Sequence, residues 1–157
     1  MTRRQPFAHV VRDHGPAVHR FLVAVAGAER ADDCWQDTFL AALEAYPTLR
    51  KPDRVGSWLF SIAHRKAMDS FRRARRDVPV AEPPEQAAHD RLPQNGELWS
   101  LVRELPPKQR AAVAHRFAAD LSYRDVGEAM GTSEEAARRN VHEGLRALRR
   151  HGEALRA

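Results

Sequence analysis

The chain has 157 residues, a formal net charge of +5 at pH 7 and a pI near 10.1, a balance that calls for a polyanionic partner. Its single cysteine excludes an intramolecular disulfide and suits a reducing compartment. Neither a secretory leader nor an apolar run of about 20 residues interrupts the sequence, so the expected location is cytoplasmic.

Apolar residues follow the helical period of 3.6 and no alternating β-branched run occurs, so the expected fold is all-α. The first helix is marked by Phe7, Val10, Val11, His14, Val18, Phe21, Leu22 and Val25. A second is marked by Ala31, Cys34, Trp35, Thr38, Phe39, Ala42, Leu43 and Tyr46 on its inner face, and Pro47 closes it. After the polar loop TLRKPDRVG, a third helix is expected from Ser57 to Arg76, with Leu59, Phe60, Ile62, Ala63, Ala67 and Phe71 facing inward. Its last turns carry Arg72, Arg73, Arg75 and Arg76, which suit the negative end of the helix dipole and also a DNA backbone.

Charge then changes sign. Residues 1–76 hold 14 basic and 8 acidic side chains, residues 77–97 hold 1 and 5, and residues 98–157 hold 11 and 8. The middle stretch also carries Pro79, Pro83, Pro84 and Pro93 and few apolar residues, so it buries too little surface to offset its chain entropy. The expected organisation is two small helical domains, 1–76 and 96–157, joined by an acidic linker, 77–95.

The second domain opens with GELWSLVREL, stops at Pro106-Pro107 and resumes as KQRAAVAHRFAA. A short helix follows, with Tyr123, Val126 and Met130 spaced to pack on the next one. Gly131 can take positive φ and end that short helix, Ser133 can cap its successor, and Glu134 and Glu135 sit in the first turn where the dipole favours acids. Ala137, Val141, Leu145 and Leu148 then form an inward stripe, leaving Arg138, Arg139, His142, Arg146 and Arg149 outward. This pattern is a helix-turn-helix, a motif whose second helix enters the major groove.

Metal and catalytic chemistry find little support. His9, His14 and His19 recur every five residues, which rotates them off a common face, and no Cys or His pair has zinc spacing. No phosphate loop, nucleophile elbow or carboxylate pair stands out. The expectation is a non-enzyme without metal or cofactor, with Cys34 serving as a small buried hydrophobe and Trp35 and Trp58 as core residues.

Taken in order, ADDCWQDTFLAAL, SWLFSIAHRKAMDSFRR and LPPKQRAAVAHRFAADLSYRDVGEAMGTSEEAARRNVHEGLRALR resemble regions 2.2, 2.3–2.4 and four of the extracytoplasmic-function (ECF) sigma factors. These small bacterial transcription initiation factors keep only sigma-70 regions two and four. The resemblance covers nearly the whole chain. It implies core RNA polymerase and promoter DNA as partners, with an anti-sigma factor as a further candidate. Asp33, Gln36 and Asp37 match the family's polymerase-binding positions. Leu49, Arg50, Lys51 and Arg54 fall in the loop that captures a base flipped from the minus-ten element, a task that needs a cationic track and a pocket. Trp58, Arg65, Asp69, Arg72 and Arg73 complete the minus-ten set. Ser133, Arg138, Arg139, Asn140 and His142 match the minus-thirty-five positions. The chain departs from the family pattern at Arg65, where Asn is frequent, at Val55, where an aromatic is, and at Glu143, where a basic residue is. The rival reading is a free-standing helix-turn-helix regulator, which predicts operator binding as a dimer without polymerase. A non-specific RNA-binding protein is less favoured, because no aromatic stacking sheet is present.

Overall fold

A computed structural model of the protein describes residues 3–77 and 96–156. Helix α1 (Phe7–Ala26) carries Pro16 inside it, with the ring exposed, so the amide that proline lacks is missing on the solvent side. Only Gly27 separates α1 from α2 (Ala28–Ala45). Its φ of +86° suits a residue without Cβ, and its N–H closes α1 on the Val23 carbonyl at 3.0 Å. Helix α2 thus begins three residues before Ala31, the first of its apolar markers. Two short 3₁₀ turns follow, Tyr46–Thr48 leading into the TLRKPDRVG loop and Pro52–Arg54 within it. Helix α3 runs Val55–Asp77, starting two residues earlier than expected. The expected linker, apart from Asp77 at its first position, lies outside the described residues.

The second set of helices comprises α4 (Gly96–Glu104), α5 (Pro107–Val113), α6 (Tyr123–Met130) and α7 (Glu134–Arg156). Pro107 stands at the first helical position of α5, where its missing N–H costs nothing. Beyond Val113 the helix widens into a π turn, Ala114–Ala118, closed by Ala119 N–H on the Ala114 carbonyl at 3.1 Å. Ala111 to His115 are all buried. Such a run needs cover on every side, and it has it: Ala112 packs with Val126, Ala137 and Val141, Val113 with Val102, Leu105 and Leu148, and Ala114 with the α1–α3 core.

That core is continuous across the two sets of helices. Val10, Val18, Phe21 and Leu22 of α1 meet Phe39 and Ala42 of α2 and Leu59, Phe60 and Ala63 of α3, and the cluster extends to Ala114, Ala119 and Ala129. Each fully buried Phe or Leu is worth about 1.5–3 kcal/mol of transfer free energy. Small alanines at the seam let α6 and the π turn approach α3 and α1 closely.

One inward assignment is overturned. Leu43 is 51% exposed, beside Leu40 at 62%. Phe39 and Ala42 already fill the contact with α1 and α3, and a position one residue beyond Ala42 turns about 100° away from it. Trp35 is half-buried, with its indole N–H donating to the Gly15 carbonyl at 3.0 Å. Cys34 is buried and its thiol pKa is raised, chiefly by burial.

Candidate nucleic-acid interface

The turn between α6 and α7 is built from local caps. Ser122 Oγ accepts from the Asp125 N–H at 3.1 Å and starts α6. Gly131, at φ +68° and ψ +34°, ends it in the left-handed region. Ser133 Oγ accepts from the Ala136 N–H at 3.0 Å and starts α7. The two helices meet over Gly127, where an added Cβ would stand 3.0 Å from the Thr132 carbonyl oxygen and 3.1 Å from the Glu134 nitrogen. Val126, Ala137 and Val141 form the small core beneath, with Tyr123 and Met130 at its edge.

That scaffold leaves Arg138, Arg139, His142, Arg146 and Arg149 exposed along α7, with Asn140 half-buried. Arg138 is pre-positioned: its guanidinium lies 4.8 Å from the Tyr123 ring centroid and 3.5 Å from Glu134. Arg116 covers the same ring at 4.9 Å, and His142 approaches its edge at 6.3 Å. Tyr123 thus organises a cationic cluster, a role that helical spacing alone does not signal. Glu143, on the opposite flank, receives Gln109 Nε2 at 3.5 Å, an α5–α7 tie in place of a phosphate contact.

The loop at the start of α3 is tied down from the N-terminus. Arg4 donates to the carbonyls of Pro47 and Leu49, and the Tyr46 hydroxyl donates to the Gln5 carbonyl. Arg50 and Lys51 are exposed, whereas Leu49 and Arg54 are half-buried. They share an open groove with Trp58, which is half-buried, and with Arg124 and Glu128 of α6. Farther along α3, Arg65, Asp69, Arg72 and Arg73 are all exposed, with Arg72 3.8 Å from Asp69. The loop leads directly into α3, and Trp58, Arg65, Asp69 and Arg72 recur at helical spacing along that helix.

Asp33, Gln36 and Asp37 are exposed on α2. The outward stripe continues to Leu40, which sequence patterning did not single out, because an apolar residue at helical spacing reads first as core. Asp33 and Asp37 line a shallow groove between α2 and α3 together with Cys34, Lys66, Asp69 and Arg73. Two residue sets assigned to different macromolecules therefore border the same groove.

In the π turn, packed against α1 and α3, His115 is fully buried and stacks on Phe21 at 3.9 Å between centroids. Its Nε2 lies 3.3 Å from His64 Nδ1, and its Nδ1 makes no hydrogen bond to protein. Burial lowers the pKa of His64 to about 4, aided by Arg65, and holds His115 well below the ordinary range, aided by His64. Both rings are neutral at pH 7.

Residues 10–77 match the family Sigma-70 region 2, and residues 95–148 match Sigma-70, region 4. The ECF RNA polymerase sigma factor RpoE of Cereibacter sphaeroides is 27% identical over 155 residues, covering 92% of this chain and 85% of that protein. The ECF RNA polymerase sigma factor SigD of Mycobacterium tuberculosis is 30% identical over 162 residues, covering 93% and 76%. Among solved structures, the sigma factor RpoE of Bartonella quintana, in complex with the anti-sigma factor NepR, superposes with a TM-score of 0.75 at 20% identity, covering 92% of this chain and 94% of that one. At that identity the likeness is one of fold.

Proposed function

The chain belongs to the extracytoplasmic-function family of RNA polymerase sigma factors, and from that premise we propose that it binds core polymerase through α2 and reads a promoter at two separated elements. Its part is to direct an enzyme to a start site. The observation that carries the reading is the coexistence, in one short chain, of a capped helix-turn-helix with an outward cationic face and a second, separate cationic track on α3 and its preceding loop.

In this reading Arg138, Arg139, Asn140 and His142 read minus-thirty-five base edges in duplex, with Ser133 at the helix start near the backbone. Arginine presents a rigid fork that matches the two acceptors of guanine, so a bidentate contact carries sequence information. The loop from Leu49 to Arg54, with Trp58, receives unpaired minus-ten DNA, and Arg65, Asp69, Arg72 and Arg73 track its backbone. Asp33, Gln36 and Asp37 meet polymerase. The acidic stretch 77–95 serves as the tether between domains 1–76 and 96–157, supported by its composition and by the separate family matches on either side. An anti-sigma factor is a reasonable regulator, because the B. quintana relative is found in complex with one.

Run-off transcription by purified core polymerase on a fragment library of the protein's own genome tests the proposal. New start sites sharing two upstream elements are expected only when the protein is added. Tight, polymerase-independent operator binding with no new transcripts would refute it.

A further inference from the structure

The guanidinium of Arg54 faces inward, toward α6. Its Nη2 donates to Asp125 Oδ1 at 2.7 Å and to Glu128 Oε2 at 2.6 Å. Ser57 Oγ donates to the same Glu128 oxygen at 3.0 Å, and Arg124 Nε lies 3.6 Å from the other. The Arg54 pKa is raised by its bonds to Glu128 and Asp125, and Arg54 in turn holds the Glu128 carboxyl below its usual range. Asp125 and Glu128 stand three residues apart, on the face that α6 turns toward α3. Val126 between them and Ala129 just beyond Glu128 are buried.

A guanidinium recognises carboxylate and phosphate with the same planar fork, and both hydrogens of Arg54 Nη2 are already committed to carboxylates. We propose that α6 is an internal competitor of nucleic acid: Asp125 and Glu128 occupy Arg54 as two phosphates would, and keep the Leu49–Arg54 loop closed to single-stranded DNA until α6 moves away. The proposal rests on the DNA-contacting role given to that loop above. Two further observations support it. Arg124 and Glu128 wall the same groove that Arg50, Lys51 and Trp58 line, so α6 blocks the track sterically as well as electrostatically. And α6 is joined to α7 through the Gly131–Ser133 turn, so the helix that closes the minus-ten loop carries the minus-thirty-five reader with it. Closing one DNA site restrains the other.

The cluster is partly solvated, with side chains 28–43% exposed, so it acts as a salt-sensitive latch laid over an apolar seam. The full-length Asp125→Asn/Glu128→Gln variant tests it. These residues lie outside the reading face of α7 and keep the shape of α6. Amide hydrogen exchange of α6 and of Ala114–Ala119 reports the opening equilibrium, and protection there is expected to fall about five- to tenfold. If only the open form binds, affinity for a short mixed-sequence single-stranded oligonucleotide, read by fluorescence anisotropy, rises by the same factor. Glu29→Gln/Glu44→Gln, on exposed positions of α2, changes net charge equally and controls for bulk electrostatics.

Unchanged protection in Asp125→Asn/Glu128→Gln overturns the latch. Reduced protection with an affinity gain no larger than that of the Glu29→Gln/Glu44→Gln control overturns the competition. Arg50→Ala/Lys51→Ala placed on the opened variant separates the two ideas: binding that survives this change, with protection still reduced, refutes the loop's DNA role while leaving the α3–α6 contact in place.

Discussion

Acidification from pH 7 to pH 5 is expected to remove about 2 kcal/mol of unfolding free energy through His64 alone. In the unfolded chain a histidine titrates near 6.5, whereas His64 in the fold titrates at about 4. Between those values the unfolded state takes up a proton that the native state refuses, so stability rises with pH and is lost as pH falls through this window. A difference of about 2.5 units corresponds to about 3.4 kcal/mol when fully expressed, of which roughly 2 kcal/mol is reached at pH 5. His115, shifted in the same direction, adds to the loss. Arg65 beside His64 opposes protonation further, and among the described residues no carboxylate offsets it. Urea unfolding followed by circular dichroism at intervals from pH 7.5 to pH 5 measures the slope. The control is His64→Gln/His115→Leu, which replaces the buried imidazole by a side chain suited to the Phe21 and Phe60 rings around it. That variant should be as stable as the wild type or more so at neutral pH and should have a much flatter profile. An equal slope in both proteins would show that the pair does not carry the acid sensitivity.

Three other outcomes are expected. Asp33→Ala/Gln36→Ala should lower recovery of core polymerase in pull-down with helicity unchanged, since both side chains are exposed and neither supports the core; wild-type recovery would remove α2 from the interface. Arg139→Ala and Arg138→Ala should each relax minus-thirty-five preference in a selection experiment by about 1–3 kcal/mol at one position, whereas Arg149→Ala should weaken all sequences alike and reduce the salt slope by about 1; an unchanged consensus in both former variants would reverse the orientation of α7. Gly144→Ala places a Cβ 2.7 Å from Val113 Cγ2, a stiff branched side chain, so overpacking of about 1–3 kcal/mol should outweigh the gain of about 1 kcal/mol in helix propensity and lower the melting temperature; a stabilised variant would show that α5 and α7 can separate freely.

The helices and the α6–α7 turn were legible in the sequence because their determinants are local. The period that marks Val126, Val141 and Leu148, the glycine at positive φ and the Ser133 cap all act within a few residues. What escaped was decided elsewhere. The Gly27 junction reads as an ordinary residue of an Ala-rich run until two helices are seen to meet there. Leu43 fits the apolar pattern of α2, but the contact it would fill is already taken by its neighbours. The π turn has no composition of its own, and the burial of the five consecutive residues that lead into it depends on cover from three separate clusters. Arg54 and Glu128 lie 74 positions apart, so no periodicity could join them. Of the candidate DNA residues, Arg138, Arg139 and His142 could be placed outward from spacing, whereas Ser133, Asn140 and the loop residues needed the family resemblance, and the groove the loop shares with α6 emerged only from packing.

Cys34 has a practical consequence. It is the chain's single thiol, 5% exposed, and it lies at the floor of the groove bordered by Asp33, Asp37, Asp69 and Arg73. Burial raises its pKa, so at neutral pH a maleimide or iodoacetamide reacts only as fast as α2 and α3 part. The native protein therefore carries a chemical clock for its own breathing, with no engineered label and no competing site. Its alkylation half-life, followed by intact mass, should lengthen whenever a macromolecule settles over that groove, and would reveal occupancy of α2 without a binding assay.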